Sequence, residues 1–240
     1  MRINSFVPPV ALQEEIVTLS PEESHHLARV LRVEAGQELS LFDRQGTRAE
    51  GTIEAVTKKE VTVRVTARET VEPPAVEITL IQAVCKPDRF EMILQKATEL
   101  GVRTIQPVTT QNTSLPTGKI QKMAERGETI IRNAAQQCGT AWLPKLLPLK
   151  KLPEVSFGSS VTLVGSLHPN AKPFKESFRA LEQSGIHRVA LLIGPEGDFT
   201  EEEVNAAVET GAIPVTFGKQ ILRTETAAIF GLSVLAYELF

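Results

Sequence analysis

The chain is poor in the features that mark several large protein classes. It holds two cysteines in 240 residues, Cys85 and Cys138, far apart and with no Cys-x-x-Cys partner. A disulfide scaffold and a paired-cysteine metal site are thereby excluded, and a cytoplasmic chain with reduced thiols is the expectation. The four histidines, His25, His26, His168 and His187, show no His-Glu-x-x-His spacing, so no metal site is expected. No apolar run reaches the ~20 residues of a membrane span. The longest, Ala227 to Phe240, is interrupted by Tyr237 and Glu238. The opening Met1-Arg2-Ile3-Asn4-Ser5-Phe6 lacks the apolar core of a signal peptide. Neither charge sign dominates: 26 Lys and Arg face 29 Asp and Glu, net −3 at pH 7. Contact with nucleic acid would therefore have to come from a local patch rather than from overall charge.

The first third reads as β-structure with one short helix. Glu60 to Arg68 alternates, with Val61, Val63 and Val65 on one face and Thr62, Arg64 and Thr66 on the other. Glu38–Phe42 and Thr47–Val56 are further strands joined by the turn Asp43-Arg44-Gln45-Gly46. The Pro-Pro pair in Glu69 to Ala75 suits a linker, which places a domain boundary near residue 72 and predicts domains over 1–71 and 72–240. Beyond it strands and helices alternate. Strands are expected at Val76–Val84, Thr104–Val108, Val161–Val164, Arg188–Ile193 and Ile213–Phe217. A helix over Asp88–Leu100 carries Phe90, Ile93, Leu94, Ala97 and Leu100 on one side and stops at Gly101. Such alternation predicts an α/β domain with a mostly parallel sheet covered on both faces.

Three constellations carry chemical potential. Ser20-Pro21-Glu22-Glu23 opens a helix as a capping box with proline at its first position. At 100° per residue His25, Arg29 and Arg32 share one face, opposite Leu27, Val30 and Leu31. That stripe is either a phosphate-binding face or a solvated one.

Gly194-Pro195-Glu196-Gly197-Asp198-Phe199-Thr200 follows the most apolar strand, where open α/β sheets place their ligands. Thr200 and Glu203 form a second capping box. The acids Glu196, Asp198, Glu201, Glu202 and Glu203 disfavour a phosphate there, so a neutral or cationic ligand fits better, or the segment is only a tight turn. Phe217-Gly218-Lys219-Gln220-Ile221-Leu222-Arg223-Thr224-Glu225 is a glycine loop before an apolar last helix that Thr224 would cap. It is no P-loop, and no Gly-x-Gly-x-x-Gly occurs anywhere. Arg223 and Glu225 form either a mutual salt bridge or a site for a polar or anionic ligand.

Several of these segments together resemble the RsmE family, the 16S rRNA uridine N3-methyltransferases of the SPOUT superfamily. The resemblance rests on His25-His26-Leu27 with Val30-Leu31-Arg32, and on Lys96-Ala97-Thr98-Glu99-Leu100-Gly101-Val102. It extends through Ala134-Ala135-Gln136-Gln137 and Gly194-Pro195-Glu196-Gly197 to Ile221-Leu222-Arg223-Thr224-Glu225-Thr226-Ala227. It implies a PUA-like β-barrel that binds RNA, followed by a parallel α/β domain with a C-terminal trefoil knot.

It further implies a homodimer that takes S-adenosylmethionine as cofactor and 16S rRNA of the small ribosomal subunit as partner, the target being the uridine at position 1498. Cofactor contacts are then expected from Leu167, Gly194, Glu196, Gly197, Gly218, Ile221 and Leu222, and RNA contacts from His25, Arg29 and Arg32. Arg223 would stabilise charge on the uracil carbonyl oxygens and Glu225 would act as general base. Two positions depart from the family: Thr140 in Gln136-Gln137-Cys138-Gly139-Thr140, and Gln220, where relatives usually carry arginine. These departures keep two other readings open. One is an RNA-binding or ribosome-assembly relative without catalysis; the other is a methyltransferase acting on a different rRNA nucleotide.

Overall fold

The computed structural model describes residues 3–57, 59–157, 161–182, 185 and 187–240. The chain divides into two compact units, Met1–Pro73 with Ala135–Leu143, and Pro74–Ala134 with Pro144–Phe240.

In the first unit five strands, β1 (Asn4–Phe6), β2 (Ile16–Thr18), β3 (Glu38–Phe42), β4 (Thr47–Val56) and β5 (Val61–Thr70), form one sheet in the order β1-β3-β4-β5-β2. Only β1 and β3 run parallel; the other pairs are antiparallel. The expected alternation is present: Val61 and Val63 are fully buried while Arg64 and Thr66 are exposed. They pack with Leu12, Val17, Leu27, Leu39, Leu41 and Ile53 into a single core. In the expected turn, Asp43 Oδ1 accepts from the N–H groups of Gln45 and Thr47 at 2.8 and 2.9 Å. Arg44 (φ 69°) and Gly46 (φ 95°) take left-handed conformations there.

The segment Ala135–Leu143 is stitched into this unit by side chains. Gln136 Nε2 donates to the Asn4 carbonyl and to Glu23 Oε2, Asn4 Nδ2 donates to the Gln136 carbonyl, and Trp142 Nε1 donates to the Val71 carbonyl.

The first helix corrects the sequence reading. Only α1 (Pro21–His25) is α-helical; His26–Leu31 winds as a π-helix and Arg32 terminates it at φ 53°. The wider i→i+5 turns rotate residues by less than 100° each, so the assumed face does not persist. Leu27 is buried, but Val30 and Leu31 are 61% and 36% exposed instead of lying in the core. The capping box is half formed: Ser20 Oγ accepts from the Glu23 N–H, while the Glu23 carboxylate turns inward to Ser5 and Gln136.

The second unit is a parallel sheet built from β6 (Glu77–Ala83), β7 (Thr104–Thr109), β8 (Lys145–Leu146), β9 (Lys150–Lys151), β10 (Val161–Gly165), β11 (Lys172–Pro173), β12 (Arg188–Ile193) and β13 (Ile213–Thr216). Their order is β11-β13-β10-β12-β6-β7-β8, with β9 also on β7. Residues 189–193 of β12 and most of β6 are buried, as expected of strands covered on both faces.

Helices α2 (Pro87–Glu99), α3 (Thr117–Cys138), α4 (Phe174–Glu182), α5 (Glu201–Glu209) and α6 (Thr224–Leu239) complete the chain. Phe90, Ile93, Leu94 and Ala97 form the buried side of α2, and Gly101 (φ 76°) ends it as expected. Helix α6 is apolar all round: Ala228, Gly231, Leu232 and Leu235 are buried, while Phe230, Tyr237 and Phe240 remain exposed. A Cβ on Gly231 would lie 2.7 Å from Leu191, so glycine is what lets α6 approach β12 so closely. Among the described residues no helix is long and apolar enough to cross a membrane.

Candidate active site

Strands β10, β12 and β13 lie side by side and parallel, so their carboxyl ends open on one edge of the sheet. A cavity of about 390 Å³ sits there. Its walls are the strand ends (Gly165, Ile193, Val215), the turn 194–198 and the loop before α6. This is where a parallel α/β sheet is expected to bind ligands.

The turn after β12 is held from several sides. Asn112 Nδ2 donates to the carbonyls of Gly197 and Asp198, both at 3.0 Å. Thr200 and Glu203 close both halves of the expected capping box on α5, and Glu203 also accepts from the Gln111 N–H at 2.8 Å. The left-handed residue in this turn is Asp198 (φ 60°), not either glycine. Gly194 and Gly197 serve close packing instead: a Cβ would lie 3.1 Å from Asp198 Oδ1 at the first and 3.1 Å from Asn112 at the second.

Thr224 does not cap α6. Its hydroxyl donates to the Gly194 carbonyl at 2.6 Å and accepts from Gln82 Nε2 at 3.1 Å, which ties the start of α6 to β12 and β6. Arg223 stands at the N-cap without a side-chain bond. Among the described residues, no hydrogen bond uses the N–H of any of residues 217–223. That loop therefore offers main-chain donors to a ligand, and Gly218 at φ 128° supplies a conformation only glycine adopts without strain.

The charges at the site are ordered around a residue the sequence reading did not single out. Arg89, in the first turn of α2, lines the cavity. Its Nη1 donates to Glu196 Oε1 at 3.2 Å, and its Nε stands 3.8 Å from Glu225 Oε2. Arg223 and Glu225 thus make no mutual salt bridge; the partner of Glu225 is Arg89. Glu225 Oε2 is buried and forms no hydrogen bond, so the 3.8 Å approach is a charge interaction only. Beside this group the buried Cys85 thiol is pushed up to about 12 by burial, with Glu196 and Glu225 adding to the shift and Arg89 opposing it. Cys85 is therefore an inert thiol.

Of the residues expected to hold cofactor, the cavity wall brings together Leu167, Gly194, Glu196, Gly197, Ile221 and Leu222, with Arg223 beside them. Leu167 and Ile221 are 58% and 78% exposed, apolar walls of an open site. Gly218 lies in the same loop but not on the wall, and Glu225 stands behind Arg89 rather than on the cavity. His25, Arg29 and Arg32 are all exposed in the first unit, and none enters an ion pair among the described residues. Gln220 lines the cavity, while Thr140 Oγ1 folds back on the Trp142 carbonyl. Arg89 was legible in principle: it opens the helix that follows β6, a neighbour of β12, at the carboxyl end of the sheet. Among the described residues no cluster of metal-ligating side chains occurs.

Comparison with known proteins gives a consistent pattern. Residues 72–236 match the family model described as an RNA methyltransferase domain, and residues 19–66 match that of an RNA methyltransferase PUA domain. The chain is 32% identical to ribosomal RNA small subunit methyltransferase E of Synechocystis, over 97% of this chain and 77% of that one. Its structure is similar to that of a ribosomal RNA small subunit methyltransferase E from Neisseria gonorrhoeae bound to S-adenosyl methionine. That similarity has a TM-score of 0.86 and 28% identity, over 99% of this chain and 98% of the other. A methyltransferase from Legionella pneumophila, solved with bound SAM, superimposes with a TM-score of 0.77 at 32% identity, again over 99% and 98%.

Proposed function

The chain belongs to the ribosomal RNA small subunit methyltransferase E family, and from that membership we propose that it methylates N3 of a uridine in 16S rRNA, the one at position 1498, with S-adenosylmethionine as methyl donor. The observation that carries this reading is the cavity itself. It combines apolar walls at Leu167, Ile221 and Leu222, a loop of uncommitted main-chain donors at 217–223, and acidic rather than phosphate-binding surroundings. Such a site fits an adenosine carrying a sulfonium and no phosphate. Leu167, Ile221 and Leu222 hold the adenosine, Gly194 and Gly197 put main chain on the cavity wall, and Gly218 sets the conformation of the loop that faces it. Glu196, kept in place by Arg89 and the Lys86 N–H, faces the cationic end.

Bound there, the cofactor supplies a methyl group already activated on sulfur. The chain's share is to bring uridine N3 in line with that methyl and to carry the charge that develops as the imide proton leaves to solvent. Arg223, exposed at the rim and with no ion-pair partner among the described residues, donates to the uracil carbonyl oxygens in this scheme. Glu225, expected as the general base, pairs with Arg89 at 3.8 Å and is not among the residues of the cavity wall, so in this scheme it acts through Arg89. Arg89 also supplies a second cavity cation in a site where Gln220 replaces the family's usual arginine.

The same reading assigns RNA docking to the PUA-like unit through His25, Arg29 and Arg32. It assigns a homodimer to the exposed side chains of Phe230 and Tyr237 on α6 and of Phe240 just after it, a trefoil knot to the C-terminal segment, and a cytoplasmic location to the protein.

Calorimetric titration with S-adenosylhomocysteine tests the cofactor site, and micromolar-range binding is expected. Small subunits lacking the mark should then gain N3-methyluridine when protein and S-adenosylmethionine are added. A folded protein that ignores the nucleoside would instead be an RNA-binding relative without catalysis. Binding followed by a different methylated nucleoside would keep the enzyme and move its target.

A further inference from the structure

We propose that Arg89, Glu196 and Glu225 form a charge trio that sets the preference of the cavity between the cationic methyl donor and its neutral product. The inference rests on the S-adenosylmethionine reading and concerns what makes that site choose. Its members come from three elements: the first turn of α2, the turn after β12 and the first turn of α6. One guanidinium is shared by two carboxylates, at 3.2 Å and 3.8 Å, and one negative charge is left over. On the Glu225 side the buried Oε2 has no hydrogen-bond donor, and Arg89 is the cation that faces it.

The remaining charged groups at the cavity do not cancel it. Arg223 and Asp198 are one of each sign, and the Asp198 carboxylate is already engaged by the Phe199 N–H at 2.8 Å. At Cys85, where burial is the main cause of the raised thiol, the two carboxylates and Asp88 disfavour the thiolate further and Arg89 opposes them. The donor carries a positive sulfur and the product a neutral one, with the rest of the molecule the same. The charged side chains on the wall itself, Arg89, Arg223, Glu196 and Asp198, balance, so the excess negative charge is that of Glu225 beside Arg89, and it holds the donor and lets the product go. In a partly solvated site, one unit of charge several ångströms away amounts to about tenfold in affinity.

The test is calorimetric titration of the intact protein with S-adenosylmethionine and with S-adenosylhomocysteine, for wild type, Glu225→Gln and Arg89→Gln. Glu225→Gln, nearly isosteric, should shift the ratio of the two affinities about tenfold toward the product. Arg89→Gln should shift it the other way. Opposite shifts cannot come from mere damage to the fold, which weakens both ligands together. If Arg89→Gln does not fold, Glu225→Gln decides alone. Parallel loss, or a ratio that does not move, overturns the trio and leaves the cofactor site standing. If wild type binds neither ligand, the cofactor reading falls and the trio with it.

Discussion

Glu23 and Glu225 are carboxylates withdrawn from solvent near a helix start, one in each unit, and they are satisfied in opposite ways. Glu23 Oε2 accepts from the Ser5 hydroxyl and from Gln136 Nε2, both neutral donors at hydrogen-bond distance. Glu225 has a cation at 3.8 Å and no hydrogen bond on its buried oxygen. A carboxylate clasped by neutral donors is a strut, its charge spread over short local bonds. A carboxylate that shares an arginine beside a cavity, without short bonds, keeps a field that a ligand can feel. Burial alone does not tell the two apart; the partners do.

Five substitutions would break or sharpen that contrast. The largest expected effect is at the strut: Glu23→Ala leaves the fully buried Ser5 hydroxyl without its acceptor and removes one of the two acceptors of Gln136 Nε2. A loss of about 2–3 kcal/mol in denaturant unfolding is expected. A loss within error of zero would mean the network holds nothing.

Beside the other carboxylate a buried thiol has a stability signature. The Cys85 thiol is pushed up to about 12 from 9.0, chiefly by burial and then by Glu196 and Glu225. The folded state thus keeps a proton that the unfolded chain releases, and stability is full below pH 9 and falls as pH rises toward 12. Cys85→Ala should flatten that alkaline limb in unfolding curves taken across the range. A limb that keeps its slope would place its cause elsewhere.

The two capping boxes give a smaller and paired effect. Thr200→Ala removes a reciprocal box and should cost about 1 kcal/mol, whereas Ser20→Ala removes one bond of a half-formed box and should cost less. Equal losses in thermal unfolding would contradict the geometry. The smallest change concerns exposed charge in the first unit, where Arg29 has no ion-pair partner among the described residues. Arg29→Ala should leave stability unchanged and lower the slope of log affinity for rRNA against log salt by about 1. An unaltered slope would return this face to the solvent.

Legibility in the sequence followed the range of the interactions involved. Helix α2, which begins and ends one residue earlier than read, the alternation of Val61 and Val63 and the glycine stop at Gly101 are decided within a few residues. The π-helical turn after His25 was not legible. A change from i→i+4 to i→i+5 bonding is a small local difference that neighbouring packing settles. The same limit applied to Thr224, whose sequence suggests a cap and whose hydroxyl is taken by Gly194 and Gln82, 30 and 142 residues away.

While the short strands β1, β2, β8, β9 and β11 went unread, the sequence by itself determined the longer strands and helix α2, the parallel character of the second sheet, and the place of the candidate site beyond its carboxyl ends. These follow from hydrophobic period and from a general rule of α/β sheets. The motifs that carry the family resemblance were equally plain as text. Only the tertiary structure decided which charges meet. It put Arg89 between Glu196 and Glu225 in place of an Arg223–Glu225 pair, turned Glu23 away from its own helix, and gave the left-handed position to Asp198 over two glycines. The physical reason is one of range. Periodicity and capping act over one or two turns, whereas an ion pair or a buried hydrogen bond depends on which distant segments the sheet order brings together.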